Sequence, residues 1–224
     1  MIILLSNFIQ IIKVLVYPII FNISQLFIIL LFILLNPKVD INDSNALFDY
    51  INKNSLFILL IQCIIFIPFF FIKYKKNDIE ENKVLVHDVI KISVFSIFLS
   101  IALNFIILLI KNVLDVKVAS SLITFTVILG TGVLGPIIEE LLFRGIIYEK
   151  FKILFKGNVA RLLAVLVFSL FHTGGIFQIL FAFIIGYYLT YIYDKYQNIY
   201  LSIIAHMFVN ISSILVSPLL LMLF

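Results

Sequence analysis

The sequence predicts an all-α fold, a polytopic transmembrane helical bundle of about seven to eight spans. Three observations carry that prediction. Of the 224 residues, 63% are hydrophobic and only 12% are charged, where an ordinary soluble domain carries about 25% charged residues. The mean hydropathy is +1.22. Apolar runs approaching or exceeding about 18 residues recur from one end to the other, which is the length a helix needs to cross the hydrocarbon core. The chain reads as an integral membrane protein, with the lipid bilayer as its solvent and no separate soluble domain.

The spans, in order, are 2–21, 24–36, 56–72, 86–110, 120–149, 162–178, 179–193 and 200–222. Ser6, Asn7, Gln10 and Lys13 make the first amphipathic, so it lies either in the membrane interface or across it. The second is short, and the polar stretch from Asn36 to Ser55 separates it from the third. His87, Asp88 and Lys91 open the fourth among the headgroups. The fifth carries the stretch "GPIIEELLFRG", Gly135 to Gly145, and the sixth ends near a Gly pair. Tyr187, Tyr188, Tyr191 and Tyr193 close the seventh as part of an aromatic belt. The opening "MIILLSNFIQIIKVLVYPII" lacks a basic first region and a small-residue cleavage site, so it reads as a retained helix.

Charge sets the orientation. The formal charge of +4 calls for no nucleic-acid partner, because excess Lys and Arg in a membrane protein chiefly mark cytoplasmic loops. The segments 73–83 and 150–161 each hold four basic residues and are separated by two spans. They therefore share a side, the cytoplasm, to which Lys195 also returns. Cys63 is alone and offers no intrachain disulfide.

Ionisable residues inside a span cost at least a few kcal/mol each, so they are functional candidates by default. The deep ones are Glu139, Glu140, Arg144, His172 and His206, with Asn210 as a strong polar companion. Glu139 precedes Lys150 by 11 residues, His172 follows Arg161 by 11, and His206 and Asn210 follow Tyr200 by 6 and 10. At 1.5 Å per helical residue, all lie about 9–17 Å below one face. Three helices thus deliver polar groups to one layer, toward the cytoplasmic half.

Helix geometry separates their roles. Glu140 and Arg144 are four apart, acid before base, and form an ion pair that makes both tolerable in lipid. Glu139 is turned by about 100° from Glu140 and is the carboxylate left free. In a desolvated layer beside a second acid it suits the work of a general base. His206 and Asn210 share a face and can direct two hydrogen bonds at one point, which suits a developing oxyanion. His172 sits just before Gly174 and Gly175, which can break the helix and admit water or a substrate backbone.

Together these segments resemble the CPBP intramembrane protease family, which includes the CAAX prenyl endopeptidases and bacteriocin-processing or immunity proteins. The pattern is two Glu and, after three further residues, Arg; then Phe-x-x-x-His; then His-x-x-x-Asn. Here these are Glu139, Glu140 and Arg144, then Phe168 and His172, then His206 and Asn210, with Pro136 before the acids. The match covers about residues 120 to 215. It divides the chain into N-terminal transmembrane helices of unassigned role, 1–119, and a CPBP-like catalytic core, 120–224. The resemblance implies hydrolysis of a peptide bond in a membrane-associated protein or peptide. Glu139 and His172 would activate water, His206 and Asn210 would stabilise the intermediate, and Glu140 and Arg144 would support them. For a metal-dependent variant of that chemistry, the zinc ligand candidates are His172, His206 and Glu139, although the His-Glu-x-x-His signature is absent.

Heavy use of Ile, Asn, Lys and Phe suggests an AT-rich genome and a bacterial plasma membrane. A leader peptide, pheromone precursor or bacteriocin-related peptide is then a fitting substrate. Two other classes accommodate the same residues. A non-catalytic immunity or sensor protein would bind a partner through them, and a proton-coupled transporter would use Glu139 and both His as a relay. The spacing leaves oligomeric state open.

Overall fold

The structure, a computed structural model, describes residues 2–36, 40, 42–75, 83–116, 124–172 and 174–222. These form seven helices and no strand: α1 (Ile2–Leu34), α2 (Ser44–Lys75), α3 (Val86–Val113), α4 (Phe125–Leu154), α5 (Gly157–Leu170), α6 (Ile176–Tyr196) and α7 (Ile199–Leu221). All but α5 are long and apolar enough to cross a membrane. The chain is an integral membrane protein built as a helical bundle.

Three boundaries differ from the sequence expectation, the first two for a local reason. The segments 2–21 and 24–36 are one continuous helix, α1. The polar residues between them turn back onto their own helix, with Asn22 Nδ2 donating to Pro18 O at 2.9 Å and Ser24 Oγ to Phe21 O at 2.7 Å. They bond backbone carbonyls of their own helix instead of ending it. The break expected at 178–179 falls earlier, since α5 ends at Leu170 and α6 begins at Ile176 after Gly175, whose φ of +90° glycine adopts freely. α2 also begins earlier than expected, at Ser44, inside the polar stretch.

α4 is not uniformly α-helical. π-helical turns at Ile128–Leu134 and Phe143–Tyr148 flank the α-helical Gly135–Leu142 that carries both acids. Such bulges shift the face a helix presents and gather at functional sites. α4 packs against α2, α5 and α7, which makes it the centre of the bundle. α3 pairs with α7, joined by a polar seam in which Ser100 Oγ donates to Val209 O at 2.9 Å and Asn104 Nδ2 to Ser213 Oγ at 3.0 Å.

The α5–α6 hairpin positions the site. Phe168 packs against Gly186, where an added Cβ would lie 2.7 Å from Phe168 Cδ1. α5 has 14 residues and is about 21 Å long, short of the roughly 30 Å hydrocarbon thickness. α5 alone is therefore too short to cross the layer, and His172, just past its end, lines a cavity.

Several basic residues at helix ends gather at one end of the bundle, while Lys111, at the end of α3, lies over the Phe177 ring at the other. Tyr74 near the end of α2 packs on Gly145, Lys152 lies over the Tyr148 and Tyr193 rings, and Arg161 pairs with Asp194 at 2.6 Å. Much of the 73–83 loop lies outside the described residues. Of the four tyrosines expected in a belt, only Tyr187 and Tyr191 face outward. Tyr188 bonds Ser96 across to α3, and Tyr193 is fully buried against Tyr148. They are core residues with a polar tip.

Candidate active site

The polar groups of α4, α5 and α7 form two layers. In the inner layer Glu140 is fully buried and accepts three hydrogen bonds. Arg144 Nη1 donates to its Oε1 at 2.7 Å, His206 Nδ1 lies 2.8 Å from the same oxygen, and Ser202 Oγ donates to Oε2. Arg144 is equally buried and is held from three sides. Its Nη2 donates to Gly186 O at 3.0 Å, and its guanidinium stacks on the Phe168 ring, 4.3 Å from the centroid. A buried pair is sustained only by this degree of additional bonding.

The inner layer fixes the outer one. Because Glu140 accepts from Arg144, its other contacts must be donors, so His206 presents Nδ1–H inward and Nε2 outward. The same logic orients His172: its Nδ1 lies 2.9 Å from Phe168 O, a carbonyl that only accepts. Both rings therefore turn Nε2 to the same place. That place is Glu139 Oε2, 3.9 Å from His172 Nε2 and 3.9 Å from His206 Nε2. This oxygen is buried and has no hydrogen-bond partner among the described residues.

Asn210 completes the layer through an effect of Pro136. Across the π-turn, Gly135 N–H bonds Gly130 O, five residues back. The next bond of that series would come from Pro136 to Thr131 O, but proline has no N–H. Asn210 Nδ2 fills the position, donating to Thr131 O at 2.8 Å. Its second N–H remains for another acceptor.

Glu139, His172, His206 and Asn210 line one cavity of about 440 Å³. Its remaining wall is mostly apolar and includes Phe21 of α1, Ile58 of α2 and Phe181 of α6. Ser202, a member of the inner layer, was not singled out by the sequence argument. Its signal is the stripe Ser202, His206, Asn210, spaced by four on one face of α7.

The three zinc ligand candidates can be tested on this geometry. Ligand atoms of a tetrahedral zinc with bonds of about 2.0–2.1 Å lie about 3.3 Å apart. Here the carboxylate stands 3.9 Å from each ring nitrogen, and among the described residues no group of three His, Cys, Asp or Glu converges on a metal position. The arrangement does not fit a catalytic zinc ion.

Fold and site define a class, a helical membrane protein with a Glu/His/Asn centre in a bundle cavity. Among known proteins, residues 120–212 match the family described as type II CAAX prenyl endopeptidase Rce1-like, a protease family. The resemblance carried by the motifs holds over that stretch. The chain is also 35% identical over 80 residues to UPF0177 protein YxdF of Lactococcus lactis subsp. lactis (strain IL1403). That alignment covers 36% of this chain and 44% of the Lactococcus protein, so the chain spans less than half the length of this curated relative. No solved structure matches.

Proposed function

We propose that this protein is an intramembrane endopeptidase that hydrolyses a peptide bond of a membrane-associated peptide. The single observation carrying the proposal is Glu139 Oε2, buried, unbonded, and equidistant at 3.9 Å from two imidazole nitrogens that both present lone pairs when neutral. A gap of this size is too long for a direct hydrogen bond and suits two acceptors bridged by one water.

A water donating to Glu139 and to His172 Nε2 is oriented with its own lone pair toward the cavity. Its oxygen adds to the scissile carbonyl carbon as Glu139 takes its proton, and the carbonyl electron pair moves to oxygen. The oxyanion is met by the second Asn210 N–H, and His206 adds an Nε2–H when its ring has taken up a second proton from bulk solvent before the attack, the water then being held by Glu139 and His172 alone. As the intermediate collapses, the C–N bond breaks and the proton held by Glu139 passes to the leaving nitrogen. The products are a new carboxyl terminus and a new amine. Glu140, Arg144 and Ser202 touch no substrate in this scheme; they aim His206.

The mostly apolar cavity supports a hydrophobic peptide as substrate. The matched family's description names CAAX prenyl endopeptidases, so a lipidated C-terminal peptide and an apolar leader peptide both fall within the class. By the positive-inside tendency the basic end of the bundle is cytoplasmic, and cleavage is expected from that half of a bacterial plasma membrane.

The test is a comparison of peptide termini in cells carrying the native protein or Glu139→Gln at matched abundance. New termini confined to the native cells, near the inner membrane face, are the expected result. Identical termini with a protective or signalling phenotype intact would overturn the protease reading in favour of a binding protein.

A further inference from the structure

α1 and α2 lie outside the residues matched to the protease family, yet they supply the cavity wall that includes Gln25, Ser55 and Gln62. Gln62 interrupts the apolar run "LFILLIQCIIFIP" and is 0% exposed. Its Nε2 donates to Phe21 O at 3.3 Å. Because that carbonyl only accepts, the nitrogen must face it, and Oε1 is directed elsewhere. Oε1 is buried and has no hydrogen-bond partner among the described residues. An unpaired acceptor in an apolar interior is costly, and a leucine would fill the same volume without that cost.

The position of Gln62 supplies a reason for keeping the carboxamide. It lines the same cavity as Glu139, His172, His206 and Asn210. A peptide entering that cavity in extended form brings backbone N–H groups that have lost their helical partners, and no bulk water is present to accept them. Glu139 and His172 are committed to water in the proposed reaction, and Asn210 and protonated His206 offer only donors to the oxyanion. The site's own motif residues leave the substrate N–H without an acceptor.

We infer that Gln62 Oε1 accepts a backbone N–H of the peptide substrate beside the scissile bond, so that the N-terminal helices contribute a substrate-binding residue. This rests on the protease reading above. The role is sequence-tolerant, since every residue except proline offers the N–H. It sets the depth of the peptide in the cavity and not the identity of its side chains.

The experiment uses the full chain in lipid nanodiscs. The probe is a peptide spanning the first native-dependent terminus found in the comparison of termini. A companion set replaces each non-scissile amide within three residues of the cleavage point, one at a time, by an ester, which lacks the N–H. Gln62→Met keeps the length of the side chain and removes the acceptor. Loss of one such hydrogen bond should lower kcat/KM about five- to ten-fold, mainly through KM. One ester should cost the native protein a similar factor and cost Gln62→Met nothing further, a coupling that a merely structural role would not produce. Unchanged cleavage by Gln62→Met, or losses that simply add at every ester position, would overturn the inference. If Gln62→Met does not fold, the native protein alone decides: an ester scan with no position losing more than about two-fold refutes it. A native protein that cleaves no better than Glu139→Gln refutes the protease reading itself, and Gln62's role with it.

Discussion

Glu139 and Glu140 are neighbours in sequence with the same side chain, and the fold treats them in opposite ways. Glu140 is fully buried and is met by Arg144, His206 and Ser202. Glu139 faces a cavity with a buried oxygen that nothing described bonds. The rotation of about 100° between consecutive helical residues is enough to send one inward and one outward. Glu140 accepts three hydrogen bonds within the fold, whereas Glu139 keeps the unbonded oxygen that the proposed reaction uses.

Substitutions at the two positions should fail in different ways. Glu139→Gln is expected to lower the rate of cleavage by about 10²–10⁴-fold while changing stability by less than about 0.5 kcal/mol, read as turnover and thermal midpoint in nanodiscs. Glu140→Ala leaves the Arg144 charge buried and unpaired, so it should cost about 3–5 kcal/mol and appear as lost membrane abundance. Replacing Arg144 by Met in the same chain should return part of that loss without restoring cleavage. Asn210→Ala crosses the boundary between the layers. It should lower kcat by about 10²–10³-fold through the lost oxyanion donor, with a stability cost of about 1 kcal/mol for the stranded Thr131 carbonyl. Gly186→Ala touches neither acid but drives a methyl into Phe168, on which Arg144 and His172 rest. Overpacking there should cost about 1–3 kcal/mol, seen as a lower thermal midpoint.

Much of this contrast was legible in the sequence because it depends on helical spacing alone. The four-residue steps from Glu140 to Arg144 and from His206 to Asn210 give the shared faces, and the distances from the basic loops give the shared depth. Other features depend on contacts between helices that no local spacing encodes. That Glu140 also holds His206, and thereby decides which ring nitrogen faces the cavity, requires α4 and α7 to be placed together. The Asn210–Thr131 bond follows from a missing N–H at Pro136, but only once the backbone is known to be π-helical there. Within α1, Asn22 and Ser24 read as a boundary and proved to bond their own helix. Gln62 was hidden for the opposite reason: a single amide in an apolar span hardly disturbs the pattern.

The most direct test of the claim that Glu139 acts on water without holding the fold is isotope incorporation. Membranes carrying the native protein or Glu139→Gln at equal abundance would be incubated in ¹⁸O-water, and new peptide carboxyl termini read by mass spectrometry. The account expects ¹⁸O in new termini from the native membranes and none above background from Glu139→Gln. Equal labelling from both would contradict it and remove Glu139 from the chemistry.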